Sequence, residues 1–294
     1  RIKSLMRQYV HVLLYAFLVI FVSIGLGRFS FGMILPNLQD NLQISTTFSG
    51  FIGTSNFIGY FIGIFFVSAL YKKYEISIML FTIILFQAIS MFLMALSTNY
   101  LTASLFFTFT GFFSAIANVS IMVYITHIIP QKFRGKALGF VVTGIGWGII
   151  FSGFYIPTIE LHVEQASWRV AWISFAQITL LVAFIVKNGI KSDIHKSKTL
   201  NQESFVKVLK KSAFWKIALI YLIFGITYVV YVTYFVFVSI DKYSLEISQS
   251  GYFWSLLGFM SLISGPLFGS IADRIGAYKT LIIIYLLLTI SNLI

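Results

Sequence analysis

The sequence predicts an all-α membrane protein, and three observations support this fold class. Hydrophobic residues make up 59% of the 294 residues and charged residues only 10%, whereas soluble domains carry about 25% charged residues. The apolar residues form long runs, and a helix that crosses a membrane needs about 20 of them in succession. The short alternating segments that are typical of membrane β-barrels do not occur in this sequence.

Nine apolar runs have the length of a spanning helix. In chain order they are Tyr9–Leu35, Thr47–Leu70, Ile76–Leu96, Leu101–Ile129, Ala137–Ile156, Ser167–Val186, Phe214–Ser239, Gly251–Ala272 and Tyr278–Ile294. The chain starts with arginine rather than methionine, and its ninth run reaches Ile294 with no basic residue or polar tail after it. The sequence therefore predicts a fragment that is cut within the ninth span.

The basic residues predict how these spans are oriented. Of the 21 lysines and arginines, 18 fall at the N-terminus and in the loops on one side of the predicted membrane. Only Arg169 and Lys242 fall on the other side, and Arg28 lies within the first span. Because short cytoplasmic loops are enriched in Lys and Arg, we expect a multi-pass protein of the cytoplasmic membrane with a cytoplasmic N-terminus. Topology then explains the net charge of +12, and no nucleic-acid partner is expected.

A long hydrophilic stretch between the sixth and seventh spans predicts the domain organisation. We expect a six-helix transmembrane bundle over residues 1–187, a cytoplasmic linker over 188–213 and a partial second bundle over 214–294. Within the linker, apolar residues and lysines are interleaved over 204–212. This pattern is typical of a short helix that lies on the membrane surface, and a solvated linker is the alternative.

The turn between the eighth and ninth spans carries a specific motif. It reads Gly-Ser-Ile-Ala-Asp-Arg-Ile-Gly-Ala-Tyr-Lys from residue 269 to residue 279, and it resembles the signature loop of the major facilitator superfamily. The resemblance implies a major facilitator fold, here a six-helix N-terminal bundle plus the first three helices of the C-terminal bundle. It also implies that this loop helps to close the cytoplasmic gate. The residues that we assign to this gating loop are Gly269, Asp273, Arg274, Gly276 and Lys279.

Superfamily members repeat the loop between the second and third spans, and a degenerate copy occurs here. Residues 67–74 keep two lysines but place Tyr71 and Tyr74 where the motif has Asp and Gly. The glycine-rich fifth span and the sequence around Arg28 resemble the YbfB-like and cyanate-transporter-like branch. In that span Gly144 and Gly148 form a G-x-x-x-G pattern, which permits close helix packing.

Arg28 is the main candidate for substrate binding. It lies between Gly27 and Phe29 in an apolar run, and a charge at the bilayer centre costs about 2.5–3.5 kcal/mol on insertion scales. None of the nine acidic residues lies in the middle of a span. We therefore expect the guanidinium to face a central cavity and to bind an anionic group. The contact is bidentate when that group is a carboxylate. An arginine that reaches headgroups or backbone carbonyls is the alternative.

Other polar and aromatic residues are candidates for the same cavity. The loop repeat has an offset of 202 residues, which sets Tyr228, Val230 and Tyr231 of the seventh span opposite Arg28. Tyr234 follows at the same spacing, nearer the end of the span, and packing is the alternative for all three tyrosines. Further candidates are Asn56, Asn118 and Trp147, each of which can instead join helices; Gln87 and Gln177 are expected on peripheral helices.

The sequence lacks the residues that several function classes require. The sequence has no cysteine, and no P-loop motif that would bind ATP. Glu160, His162 and Glu164 are interpreted as a solvated outer loop rather than a metal site. We therefore expect no enzyme activity, no metal and no cofactor.

The sequence thus favours a secondary transporter that moves a small organic anion by alternating access. We expect a monomer whose partners are the lipid bilayer and a small anionic solute. A coupling proton is left open, and His127 is interpreted as an interface residue. Efflux of amphipathic compounds is the alternative within this class, and a non-transporting membrane sensor is the alternative outside it.

Overall fold

The structure is a computed structural model that describes residues 2–163, 166–190 and 210–293, and every regular element in these ranges is helical. Span 1 consists of three consecutive segments, Ile2–Ile20, Phe21–Phe29 and Phe31–Leu42. Spans 2 to 9 are the helices Thr46–Lys73, Ile76–Ala95, Tyr100–Ile128, Arg134–Glu160, Ser167–Gly189, Ser212–Asp241, Ile247–Ile275 and Ala277–Leu293. A short 3₁₀ turn, Gln131–Phe133, precedes span 5.

The predicted all-α membrane class is confirmed. Spans 1 to 7 are long and apolar enough to cross a membrane, and span 9 contains a shorter apolar helix, Tyr278–Ser291. The surface helix predicted within 204–212 falls mostly on residues 191–209, which lie outside the described residues.

Local sequence signals explain where several helices begin and end. The Asn99 side chain accepts from the backbone N–H of Thr102 at 3.0 Å, which caps the first turn of span 4. Glu246 and Gln249 form a reciprocal capping box at the start of span 8. Span 8 ends at Ile275 and is followed by Gly276, whose φ of +88° is a backbone conformation that favours glycine. Span 9 starts at the next residue, so this turn is a single glycine long.

Small residues bring helices of the first six spans into close contact. Spans 2 and 4 cross where a Cβ on Gly59 or Gly111 would overlap the backbone of the other helix. A Cβ on Gly144 of span 5 would lie 2.7 Å from the Phe17 carbonyl oxygen of span 1. In lipid, helices associate through such close packing because the bilayer supplies no hydrophobic driving force between them.

Spans 5 and 8 join the first six spans to the last three through a regular series of glycines. A Cβ on Gly258 would lie 2.7 Å from the Gly146 carbonyl oxygen, and a Cβ on Gly153 would lie 2.7 Å from the Gly251 carbonyl oxygen. Gly139 and Gly265 continue both series toward the end of the bundle that carries the basic loops, which we call the basic end. Among the described residues, a Cβ at either of these two positions would meet nothing within 4 Å. The glycine contacts between the two helices therefore lie in their middle and at the opposite end, and Gly139 and Gly265 face open space.

Candidate functional site

Arg28 lies in a widened stretch of span 1. Residues Phe21–Phe29 form a π-helix between two α-helical segments, and the Ser30 N–H donates to the Gly25 carbonyl, five residues earlier, at 3.3 Å. π-Helical turns are rare in proteins overall, but those that occur are frequently at functional sites. A π-helical turn contains about one residue more than an α-helical turn, which has 3.6 residues. This difference rotates Arg28 by about 100° about the helix axis relative to its place in a continuous α-helix.

Neighbouring helices hold this π-helical stretch in place. A Cβ on Gly25 would lie 3.0 Å from the Gly148 Cα, so span 5 approaches span 1 at backbone distance. On another side, the Gln87 side-chain amide of span 3 donates to the Ser23 carbonyl at 3.1 Å. A Cβ on Gly27 would meet that amide nitrogen at 2.6 Å, so only glycine leaves room for it.

Three side chains of span 2 contact the Arg28 guanidinium. Its Nε donates to Asn56 Oδ1 at 3.0 Å. Its central carbon lies 4.7 Å from the Phe57 ring centroid and 4.2 Å from the Tyr60 ring centroid, which is cation–π distance. The terminal Nη2 is buried and has no hydrogen-bond partner in the described residues. No carboxylate among those residues pairs with this charge.

Span 4 supports the same residues of span 2. The Asn56 amide donates from Nδ2 to the Phe107 carbonyl at 3.1 Å. The Asn118 amide donates to the Tyr60 hydroxyl at 2.6 Å. Asn56 therefore touches Arg28 directly, whereas Asn118 reaches it only through Tyr60.

Span 7 completes the surroundings of Arg28. The Tyr228 ring packs edge-on against Phe29 at 6.0 Å, and its hydroxyl is within electrostatic range of the Arg28 guanidinium. Val232 and Thr233 line a small cavity together with Arg28. The cavity measures about 10 Å³, which is room for about one water molecule. The full lining is Arg28, Phe31, Gly32, Gly53, Asn56, Phe57, Phe107, Val232 and Thr233.

Val230 and Tyr231 lie outside the lining of the small cavity beside Arg28. Their side chains are 56% and 46% exposed. The residues of span 7 that line this cavity are Val232 and Thr233. Tyr234 lies further along and donates to the Thr46 carbonyl of span 2 at 3.1 Å.

Trp147 does not line the cavity beside Arg28. Its side chain is 50% exposed and lines an open apolar groove of about 400 Å³. All six lining residues belong to span 5, and they are Trp147, Ile150, Phe151, Phe154, Tyr155 and Thr158.

The structure describes part of the predicted gating loop. Gly276 makes the turn between spans 8 and 9, and Arg274 and Lys279 are exposed there. The surroundings of Gly269 and the side chain of Asp273 lie outside the part of the chain that the structure describes. The gating role of the loop stays a prediction.

Sequence reasoning missed the two aromatic side chains that stack on the guanidinium. Phe57 and Tyr60 read as ordinary lipid-facing aromatics of an apolar helix, and nothing local marks Thr233. Gln87 of span 3 also contributes, because its amide contacts the π-helical stretch of span 1. The only sequence signal for that stretch is the Gly25-Leu-Gly27 pattern before Arg28, because glycine weakens a regular helix.

The sequence is similar to known transporters over most of its length. The family model of the Major Facilitator Superfamily matches residues 17–294. The chain is 25% identical over 287 residues to the uncharacterized MFS-type transporter YceJ of Bacillus subtilis, covering 90% of this chain and 68% of YceJ. It is 26% identical over 165 residues to the putative uncharacterized transporter YgaY of Escherichia coli, covering 55% of this chain and 41% of YgaY.

Solved structures share the fold. A bacterial homolog of the human lysosomal transporter Spinster, in an inward-facing and unoccupied conformation, matches with a TM-score of 0.71 at 14% identity, over 90% of this chain and 62% of that one. A D-xylose–proton symporter matches with a TM-score of 0.66 at 15% identity, over 90% of this chain and 69% of that one. The chain thus spans less than two thirds of the length of the first of these structures, and under half of YgaY. The family match over nearly the whole chain and the shared helical fold establish that this chain belongs to the Major Facilitator Superfamily.

Proposed function

We propose that the protein is a secondary transporter that binds a small carboxylate at Arg28 and moves it across the cytoplasmic membrane by alternating access. The observation that carries the proposal is the Arg28 guanidinium itself. It sits within a spanning helix, at the junction of the first six and last three spans, with one terminal nitrogen buried and unpartnered in the described residues.

The physical argument concerns charge compensation. An ionised group in a low-dielectric environment is costly unless a counter-charge and hydrogen bonds compensate it. Asn56 and the two aromatic rings stabilise the guanidinium partly, but they bring no negative charge. Nε already donates a hydrogen bond to Asn56, so the two terminal nitrogens are the guanidinium donors that a ligand can use. A carboxylate matches these two donors in charge and in geometry.

The contacts between the two halves support alternating access. At the end opposite the basic loops, Gly32 of span 1 packs on Val232 of span 7, where a Cβ would lie 2.5 Å from the carbonyl oxygen. Gly153 and Gly251 are in contact at the same end, whereas a Cβ on Gly139 or Gly265, nearer the basic end, would meet no described atom within 4 Å. Close contacts between the halves on the side of the site away from the basic loops support rocking of the bundles about a central site.

The test is uptake of radiolabelled lactate, succinate and benzoate into proteoliposomes that contain the full-length protein. We expect the Arg28→Gln variant to raise KM for the transported carboxylate about tenfold to a hundredfold, since hydrogen bonds to charged groups contribute about 1.5–3 kcal/mol. Arg169→Gln is the matched control, because that arginine donates to the Ala95 carbonyl at 2.6 Å, away from the cavity. The melting temperature of Arg28→Gln should be unchanged or higher, since an uncompensated charge is removed. Uptake that is indifferent to Arg28→Gln would overturn the proposal.

One observation favours efflux of amphipathic compounds as a second candidate. The groove at Trp147 is apolar, open and lined by span 5 alone, with a volume of about 400 Å³, and it offers an apolar surface to such a compound. Ethidium efflux from cells that express the protein, compared between wild type and Trp147→Ala, tests this candidate. If ethidium efflux depends on Trp147 and carboxylate uptake is absent, efflux is the correct function.

A further inference from the structure

Thr233 is the polar side chain that span 7 contributes to the Arg28 cavity. It is 5% exposed, and it lines the cavity from the side of the last three spans. A Cβ on Gly53 of span 2 would lie 3.0 Å from its methyl group and 3.5 Å from its hydroxyl. The side chain is therefore held directly at the junction of the two halves.

The Thr233 hydroxyl makes no hydrogen bond within the described residues, which is unusual for its helix. Thr227 donates to the Ile223 carbonyl at 3.1 Å, and Ser239 donates to the Phe235 carbonyl at 2.7 Å. Such bonds to the preceding turn are the ordinary way in which a hydroxyl inside a membrane helix is satisfied. Thr233 thus keeps both its proton and its lone pairs available to a group inside the cavity.

The other polar side chains of the cavity define what that group is. Asn56 is engaged at both ends, by Arg28 Nε and by the Phe107 carbonyl. Arg28 offers only donors, and its buried Nη2 has no partner in the described part of the chain. A group that satisfies Nη2 and Thr233 together must therefore accept hydrogen bonds, and it must carry negative charge to compensate the guanidinium.

We propose that Thr233 is a substrate-binding residue and that one carboxylate oxygen of the substrate bridges it to Arg28. This inference rests on the proposed function and adds the contact from the second half. The cavity of about 10 Å³ has room for about one oxygen-sized group, which fits an oxygen that is shared between a guanidinium nitrogen and a hydroxyl. A ligand held in this way contacts span 1 and span 7 together.

The experiment compares three variants of the full-length protein in proteoliposomes, with lactate, succinate and benzoate as the probes. Thr233→Val keeps the shape of the side chain and removes the hydroxyl, Thr233→Ser keeps the hydroxyl, and Thr227→Val removes a hydroxyl that is bonded to its own helix. We expect Thr233→Val to raise KM about tenfold, as for a lost hydrogen bond to a charged group. Thr233→Ser and Thr227→Val should stay within about twofold of wild type, which a purely structural role of Thr233 would not produce.

The outcomes separate this inference from the proposed function. If Arg28→Gln impairs uptake while Thr233→Val does not, only the role of Thr233 is refuted. If Thr233→Ser is as impaired as Thr233→Val, or if Thr227→Val is equally impaired, the hydroxyl at this position is not the cause and the inference is wrong. If the wild-type protein takes up none of the three carboxylates, the proposed function fails and this inference fails with it.

Discussion

The crossing of spans 2 and 4 provides a sharp test of the packing, through the substitution Gly111→Ala. A Cβ on Gly111 would lie 2.8 Å from the Asn56 carbonyl carbon and closer still to its oxygen. The two helices would have to separate by at least 0.6 Å before this pair reaches 3.4 Å, the lower limit of ordinary contact. The obstacle is backbone, so no side-chain rotation relieves it.

The magnitude follows from two opposing effects. Overpacking costs about 1–3 kcal/mol, and we take about 3 because the clash is with backbone. Alanine gains about 1 kcal/mol over glycine from helix propensity, which leaves a loss of about 2 kcal/mol. For domains of roughly 150–250 residues this corresponds to a fall in melting temperature of about 4–8 °C. Because the displaced backbone belongs to Asn56, we also expect weaker carboxylate binding at Arg28.

The assay is thermal unfolding of the purified protein in detergent, followed by tryptophan fluorescence. Gly225→Ala is the matched control, since a Cβ there would meet nothing within 4 Å. Its melting temperature should equal or exceed that of wild type, because only the propensity gain remains. A Gly111→Ala variant that melts as high as Gly225→Ala would refute the close crossing of spans 2 and 4.

Two further variant pairs test contacts that span 1 and span 8 make. The Gln87→Leu variant loses the hydrogen bond from the side-chain amide to the Ser23 carbonyl, which should lower the free energy of unfolding by about 1 kcal/mol. Gln177→Leu, at an exposed position, is the control and should not lower it. Equal melting temperatures of the two variants would contradict the contact. The Gly146→Ala variant should be destabilised, because a Cβ there would lie 2.8 Å from the Gly258 carbonyl oxygen. Gly139→Ala should be tolerated, and a comparable loss in both variants would contradict the open space beside Gly139.

Composition and spacing predicted the fold class because they depend on chain-local physics. A run of apolar residues has to be helical in lipid, since every backbone N–H and C=O must be satisfied within the segment. The predicted spans accordingly match the observed helices, with differences mainly at the helix ends. The π-helical stretch at Phe21–Phe29 was not predicted, because it depends on contacts from Gln87 and Gly148 that lie far away in sequence.

The candidate site was predictable only in part. Arg28 stands out in sequence because its charge conflicts with its surroundings, and Asn56 is a polar residue in an apolar span. Their mutual hydrogen bond depends on how spans 1 and 2 are rotated about their axes. The repeat offset points to Val230 and Tyr231 of span 7, whereas the residues of that span which line the cavity beside Arg28 are Val232 and Thr233.

The sequence by itself determined that this chain is a bundle of membrane helices with one isolated charge inside, because hydropathy and charge are properties of each segment alone. The tertiary structure decided which side chains surround Arg28, because helix rotation and register follow from the packing of glycines against distant backbones. It also decided that the charge lies where both halves meet. That position follows from the contacts between spans 1, 2, 4 and 7, which no single segment encodes.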